Sequence, residues 1–267
     1  MRFNSEPDAL GDALPDAQAT PARGPVVLAC LDASSYAPSV CDHAAWLAGC
    51  LDGEVDLLHV AEDGAASPAD APSPLLARAG DRLSEQGIAP HRRRTARGPV
   101  GEAVIALANR QAACTVIGRR GVGAQRSRRR LGQHVAAILA ATRVPVCVAP
   151  KLFLPISRAL VLFAPWSGQE RWAHALAASP LLDGLDVSLG RLDSAEDVVV
   201  LEPDWTELPP AQAPTFERAR CPARLRDVLQ ASAFDLVVLP RALAFDHAAP
   251  RAAAHAILRS RLPVLIC

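Results

Sequence analysis

The sequence predicts an α/β fold made of two tandem open parallel sheets with helices on both faces. Three observations predict it. Short, continuous apolar runs such as Pro25–Leu31 (PVVLACL) and Val144–Ala149 (VPVCVA) fit strands buried on both faces. Between them lie stripes with helical spacing, and strand and helix patterns alternating in this way imply βαβ units. The order of elements then restarts near residue 157. The length of 267 residues, at roughly 100–200 residues per domain, agrees with two units, 24–150 and 157–267.

In the first unit, PVVLACL is followed by Val40, Ala44 and Leu47, an i, i+4, i+7 helix stripe. Glu54–Val60 (EVDLLHV) reads as the second strand, and Leu75–Gln86 as a helix after a Pro/Ala/Asp-rich loop. His91–Ala96 (HRRRTA) reads as the third strand, though it is polar for one. Gly98-Pro99 opens the next helix, with proline suited to its first turn, and Val100, Val104, Leu107 and Ala108 mark the buried face. Cys114–Ile117 is the fourth strand, Val135, Ile138, Leu139 and Thr142 form another helical stripe, and VPVCVA is the fifth strand.

The second unit repeats this order in eroded form. Ala159–Ala164 matches the first strand, Gln169–Ala178 the first helix, Asp186–Leu192 the second strand, Asp235–Pro240 the fourth and Leu262–Cys267 the fifth. Ala254, Ile257 and Leu258 belong to a short last helix. The middle, DSAEDVVVLEPDWTELPPAQAP, holds four prolines and no clear second helix, so an irregular excursion is expected there. Residues 1–23 are acidic and proline-bearing, have no apolar core for a signal peptide, and read as a disordered tail.

Composition narrows the function classes. Formal charge is balanced, which argues against a general nucleic-acid binder. No apolar run reaches the ~18 residues of a membrane span, which points to a soluble, cytoplasmic protein. None of the seven cysteines forms a CxxC pair, and they read as small buried hydrophobes in a reducing compartment, with no metal site. There is no GxxxxGK[ST], and Lys151, the only lysine, lies far from any glycine loop. No catalytic constellation stands out.

The chemistry-bearing stretch is Ile117–Val135, IGRRGVGAQRSRRRLGQHV, with four glycines, six arginines and no acid. Gly118 and Gly121 allow a tight turn and let backbone N–H groups approach an anion, and Gly132 lies where a helix begins. Arg119, Arg120, Arg126, Arg128, Arg129 and Arg130 are candidate counter-charges, of which one or two would sit near phosphates. His134, just inside that helix, is a further candidate. The alternative for the whole stretch is a basic, solvated loop. No aromatic residue is interleaved for base stacking.

VVLACLDASSYAPSVCDHAAWLAGCLDGEVDLLHV, with its Asp after strand one and its HV ending strand two, resembles the opening of the universal stress protein family. TVIGRRG followed by LGQHV resembles the phosphate loop of that family, Gly-x2-Gly-x9-or-10-Gly-Ser/Thr, read here as Gly118-x2-Gly121-x10-Gly132-Gln133. The resemblance is strong over residues 24–150. It implies five strands in the order 3-2-1-4-5, the adenine nucleotide alpha-hydrolase-like fold, and ATP or AMP as ligand, with or without Mg. It also implies a regulatory role in stress response with little or no turnover, and pairing of the two units through VPVCV and LPVLI. Under it, Asp32 would contact adenosine, and the backbone of Val60 would read the adenine edge. For Asp32 the plain alternative is a helix N-cap or turn residue.

Gln133 departs from the family's Ser or Thr. Its bulk would weaken binding, shift preference towards AMP, or abolish binding. Two functions are therefore carried forward: a nucleotide-binding regulator, and an interaction protein that binds no nucleotide but recruits an unknown protein partner. A slow ATP hydrolase is a third, for which no base or metal cluster speaks. The second unit lacks the site. The Asp32 equivalent falls near Pro165, and PRALAFDHAAPRAAAH after its fourth strand holds no glycine.

Overall fold

The computed structural model describes residues 24–61, 73–121, 133–165, 168–193, 197–204, 215–219, 223–230, 233–241 and 261–267. The apolar runs become the middle of one sheet. Strands β1 (Val26–Leu31), β2 (Glu54–Ala61), β3 (Pro90–Arg97), β4 (Cys114–Gly118) and β5 (Val146–Ala149) pair in parallel in the order β3-β2-β1-β4-β5. Strands β6 (Arg158–Phe163), β7 (Asp186–Leu192), β11 (Leu236–Leu239) and β12 (Val264–Ile266) repeat that arrangement in the order β7-β6-β11-β12.

The two halves do not form separate sheets. β12 pairs antiparallel with β5, Val264 opposite Val148 and Ile266 opposite Val146, giving one sheet of twelve strands among the described residues. The reason is physical. Both strands are fully buried and apolar, and an open edge of that kind would invite pairing with any other chain.

Helices cover both faces. α1 (Ala37–Leu51), α2 (Pro74–Glu85) and α5 (Glu170–Ala177) pack on one side through Val40, Leu47, Leu76, Leu83 and Ala173. α3 (Val100–Gln111), α4 (Gln133–Ala141) and α6 (Leu225–Gln230) pack on the other through Val104, Leu107, Ile138, Leu139, Leu225 and Leu229. Each of the two cores contains residues from both halves of the chain. Asp42 on α1 accepts two hydrogen bonds of 2.7 Å from the Arg82 guanidinium, which fixes α2 against α1. None of the described helices is long and apolar enough to cross a membrane.

One stretch meets the sequence expectation against its own polarity, and another differs from it. HRRRTA is a strand despite its polarity because β3 is a sheet edge, where charge guards against mispairing. Its inward members find partners. His91 meets the buried Asp56 carboxylate at 3.0 Å, and Arg94 lies 3.8 Å from the same group. In the second half, the stretch expected to be irregular contains β8 (Asp197–Asp204) and β9 (Thr215–Ala219), with β10 (Ala223–Arg224) beside β8. β8 runs antiparallel to β7. Only residues 193–196 separate these strands, too few for the dozen-residue crossover that a parallel return requires. The last helix expected at Ala254–Leu258 and the tail 1–23 lie outside the described residues.

His43 is fully buried in α1, donating from Nδ1 to the Ser39 carbonyl at 2.7 Å, and the Phe153 ring meets it edge-on at 4.8 Å. Its Nε2 is buried with no hydrogen-bond partner among the described residues. Burial drives the imidazole below the ordinary histidine value, against the opposing pull of the Ser39 carbonyl and Asp42. Because the folded value is depressed, the unfolded chain binds the extra proton, and stability falls as pH falls through about 6.5. Urea unfolding at pH 7.5 and 5.5 should show wild type losing more stability than His43→Leu over that interval. Equal losses would refute this assignment.

Candidate functional site

In the first half, the connection after β1 leads to α1 on one face, and the connection after β4 leads towards α4 on the other. β1 and β4 are neighbours, so a crevice opens over their carboxyl ends, the place where open α/β sheets bind ligands. Asp32 follows β1 directly and Arg119 follows β4 directly.

Asp32 is half-buried, and its Oδ1 accepts the Ser34 N–H at 3.0 Å, an Asx turn. Ser34 Oγ in turn accepts the Tyr36 N–H at 3.2 Å. These two turns deliver the chain into α1, whose N-cap position is Tyr36, so Asp32 shapes the turn and does not cap the helix. The second carboxylate oxygen points across the crevice. A Cβ on Gly121 would lie 3.0 Å from Asp32 Oδ2. Glycine at 121 is what lets the loop after β4 come this close to the acid.

Gly118 makes the other close approach. A Cβ there would lie 2.9 Å from Tyr36 Cβ and 3.4 Å from its Cγ, so Tyr36 packs directly on the end of β4. Sequence reasoning missed Tyr36. The one signal available was that it is the only tyrosine in the chain and stands four residues past Asp32.

Asp32, Gly118 and Gly121 therefore converge. Val60 lies at the end of β2, half-buried, opposite Ala96 of β3 and packed on the α3–α4 core. His59, before it, bonds through Nδ1 to the Leu31 carbonyl at 3.0 Å, which ties β2 to the last residue of β1. This is a structural role. His134 is exposed on the first turn of α4, with Nδ1 4.0 Å from where a Cβ on Gly101 would lie, so its ring sits beside the start of α3. Gln133 is the first residue of α4. Gly132 and the arginines 126, 128, 129 and 130 lie outside the described residues.

Arg119 reaches across to the other half of the chain. Expected to face a phosphate, it is 8% exposed, and its Nη2 donates to the Leu262 carbonyl at 2.8 Å, just before β12. Burial brings its guanidinium down to about 10, partly offset by the nearby Tyr36, so it stays charged at neutral pH. One nitrogen of this buried guanidinium is thus held by a carbonyl of the other half.

The second half carries no counterpart of the site in its first loop. β6 ends at Phe163, and Ala164 and Pro165 stand where the first half has its acid. The Ala164 N–H donates instead to Gln169 Oε1 at 3.3 Å. Among the described residues no group of three or more His, Cys, Asp or Glu could hold a metal ion.

The sequence model of the universal stress protein family matches residues 25–150. No curated protein matches the chain. Among solved structures, a protein of Pseudomonas aeruginosa UCBPP-PA14 described as a universal stress protein is 13% identical, with a TM-score of 0.56, over 91% of this chain and 93% of its own. A universal stress protein from Archaeoglobus fulgidus DSM 4304 is 12% identical, with a TM-score of 0.50, over 91% of this chain and 95% of its own. At such identities the likeness shows the fold alone, but it extends through both halves. A universal stress protein in complex with cAMP covers 46% of this chain and 94% of its own at 23% identity and a TM-score of 0.38, and at that similarity its ligand says nothing of this chain.

The contact at β4 can be measured. Gly118→Ala should destabilise the protein by about 1–3 kcal/mol through its clash with Tyr36. Tyr36→Gly should relieve most of that loss, since glycine is tolerated at an N-cap. A double-mutant cycle with no coupling between the two positions would refute the packing.

Proposed function

Because its residues 25–150 match the sequence model of the universal stress protein family, we propose that this chain binds an adenine nucleotide, ATP or AMP, in the crevice between β1 and β4. It acts as a regulatory protein of the stress response and does little or no catalysis. The observation that carries the reading is the approach of Asp32 to Gly121 across the crevice, with Gly118 at the end of β4.

The roles follow from position and chemistry. The Asp32 carboxylate accepts hydrogen bonds from a ribose, and its place directly after β1 suits that part of the ligand. The backbone N–H groups around Gly121, with the N-terminus of α4, suit phosphate oxygens. The backbone at Val60, at the end of the neighbouring strand β2, reads the adenine edge in this proposal. Charge for the phosphates comes from the arginines after Gly121, since Arg119 is engaged elsewhere. The second half serves as a built-in pairing partner of the first, a tandem in which one unit keeps the site.

A second reading has one observation in its favour. Tyr36 already packs on Gly118 at the mouth of the crevice, and Gln133 adds bulk where the family has a small hydroxyl. The chain would then be an interaction module that recruits a protein partner without nucleotide.

Calorimetry on the purified full chain separates the two. The nucleotide reading expects one site per chain with about micromolar affinity for ATP or AMP, weakened about tenfold or more in Asp32→Ala. Gln133→Ser should tighten binding. No heat and no thermal shift with either nucleotide in wild type, and binding only in Gln133→Ser, would establish the interaction module in its place.

A further inference from the structure

Arg119 has a counterpart in the second half. Arg119 follows β4 directly, and Arg241 follows β11 after a single proline. The Arg119 N–H donates to the Ala149 carbonyl at 3.1 Å, at the end of β5, and the Arg241 N–H donates to the Cys267 carbonyl at 2.6 Å, at the end of β12. Each guanidinium then crosses to the other half. Arg119 Nη2 meets the Leu262 carbonyl at 2.8 Å, and Arg241 Nη2 meets the Val144 carbonyl at 2.8 Å. Leu262 and Val144 are themselves equivalent, each preceding the proline that opens a fifth strand, Leu262-Pro263-Val264 and Val144-Pro145-Val146. Arg241 Nη1 also donates to the Leu139 carbonyl in the last turn of α4, where a cation is favoured. The two arginines thus form a reciprocal clamp around the β5–β12 ladder.

The two ends of this clamp differ in what stands beside them. Arg119 lies between Gly118, which carries Tyr36 against it, and Gly121, which carries Asp32 against it. No glycine follows Arg241 in the sequence. One end of the clamp is therefore built into the candidate crevice, and the other is not.

We propose that Arg119 is a positioning residue that ties the Gly118–Gly121 turn to the second half, so that ligand binding in the crevice and the tightness of the β5–β12 junction are linked. The proposal rests on the nucleotide reading of that crevice. Linkage is reciprocal: a nucleotide that orders the turn must tighten the junction, and a loosened junction must weaken the nucleotide. A direct phosphate ligand would behave oppositely, because Arg119 would have to leave Leu262 and the junction would loosen.

The test is hydrogen–deuterium exchange on the full chain with and without saturating ATP, alongside calorimetry. In wild type, ATP should slow exchange at the amides of Val264–Ile266. In Arg119→Ala that slowing should vanish and affinity should fall about tenfold, with Arg119→Lys restoring part of both. Arg241→Ala should speed exchange across the same ladder yet hold affinity within about twofold. Faster exchange at Val264–Ile266 on adding ATP to wild type overturns the proposal in favour of a direct phosphate ligand. Unchanged exchange in wild type despite measurable binding overturns it outright, as does an equal loss of affinity in Arg241→Ala. Absence of any ATP binding in wild type overturns the nucleotide reading, and the proposal with it.

Discussion

The structure depends on one short antiparallel ladder. β5 and β12 are four and three residues long, yet they join two parallel runs into a single sheet. Neither strand is fit to be an edge. Their residues are fully buried, and their outer backbone groups would otherwise stand open to pairing with other chains. Once they meet, the cores on both faces become continuous. Cys147 and Ala149 share a cluster with Val238 and Leu265, and Val146 and Val148 share one with Val237 and Ile266. Arg119, buried, and Arg241, half-buried, add cationic hydrogen bonds to backbone carbonyls at either side.

From this follows the geometry of the crevice. The order β3-β2-β1-β4-β5 places the reversal of direction between β1 and β4, and the helices after those strands leave on opposite faces. The loops that remain carry an acid on one side and two glycines on the other. The close approaches at Gly118 and Gly121 give a reason for glycine at both positions that does not depend on family likeness. Side chains there would collide with Tyr36 or crowd Asp32.

Most of the first half was legible in the sequence because its strands are buried on both faces and its helices are amphipathic. PVVLACL can hardly be anything but a central strand, and Val40, Ala44 and Leu47 all turn inward as their spacing requires. What was hard to read shares a physical cause, which is that composition does not reveal a partner. HRRRTA is polar, yet its His91 and Arg94 lie beside Glu54 and Asp56 of β2. VVVL in the second half is a strand because β7 offers an edge, though the prolines around it suggested otherwise. Arg119 stood in a run of arginines that read as one electrostatic feature. Its neighbour across the sheet comes from 143 residues further along the chain, and no local pattern could announce that.

The segment between β5 and β6, residues 150–157, has a consequence of its own. It is the covalent tether between the halves, and Phe153 anchors it by packing on His43. Two separate chains meeting across such a ladder would part on dilution. A tether this short holds the second half at an effective concentration on the order of millimolar, whatever the concentration of the protein. The pairing therefore does not respond to how much protein the cell makes. Any opening of the junction is therefore a property of the single chain, set by the strength of the ladder and its packing.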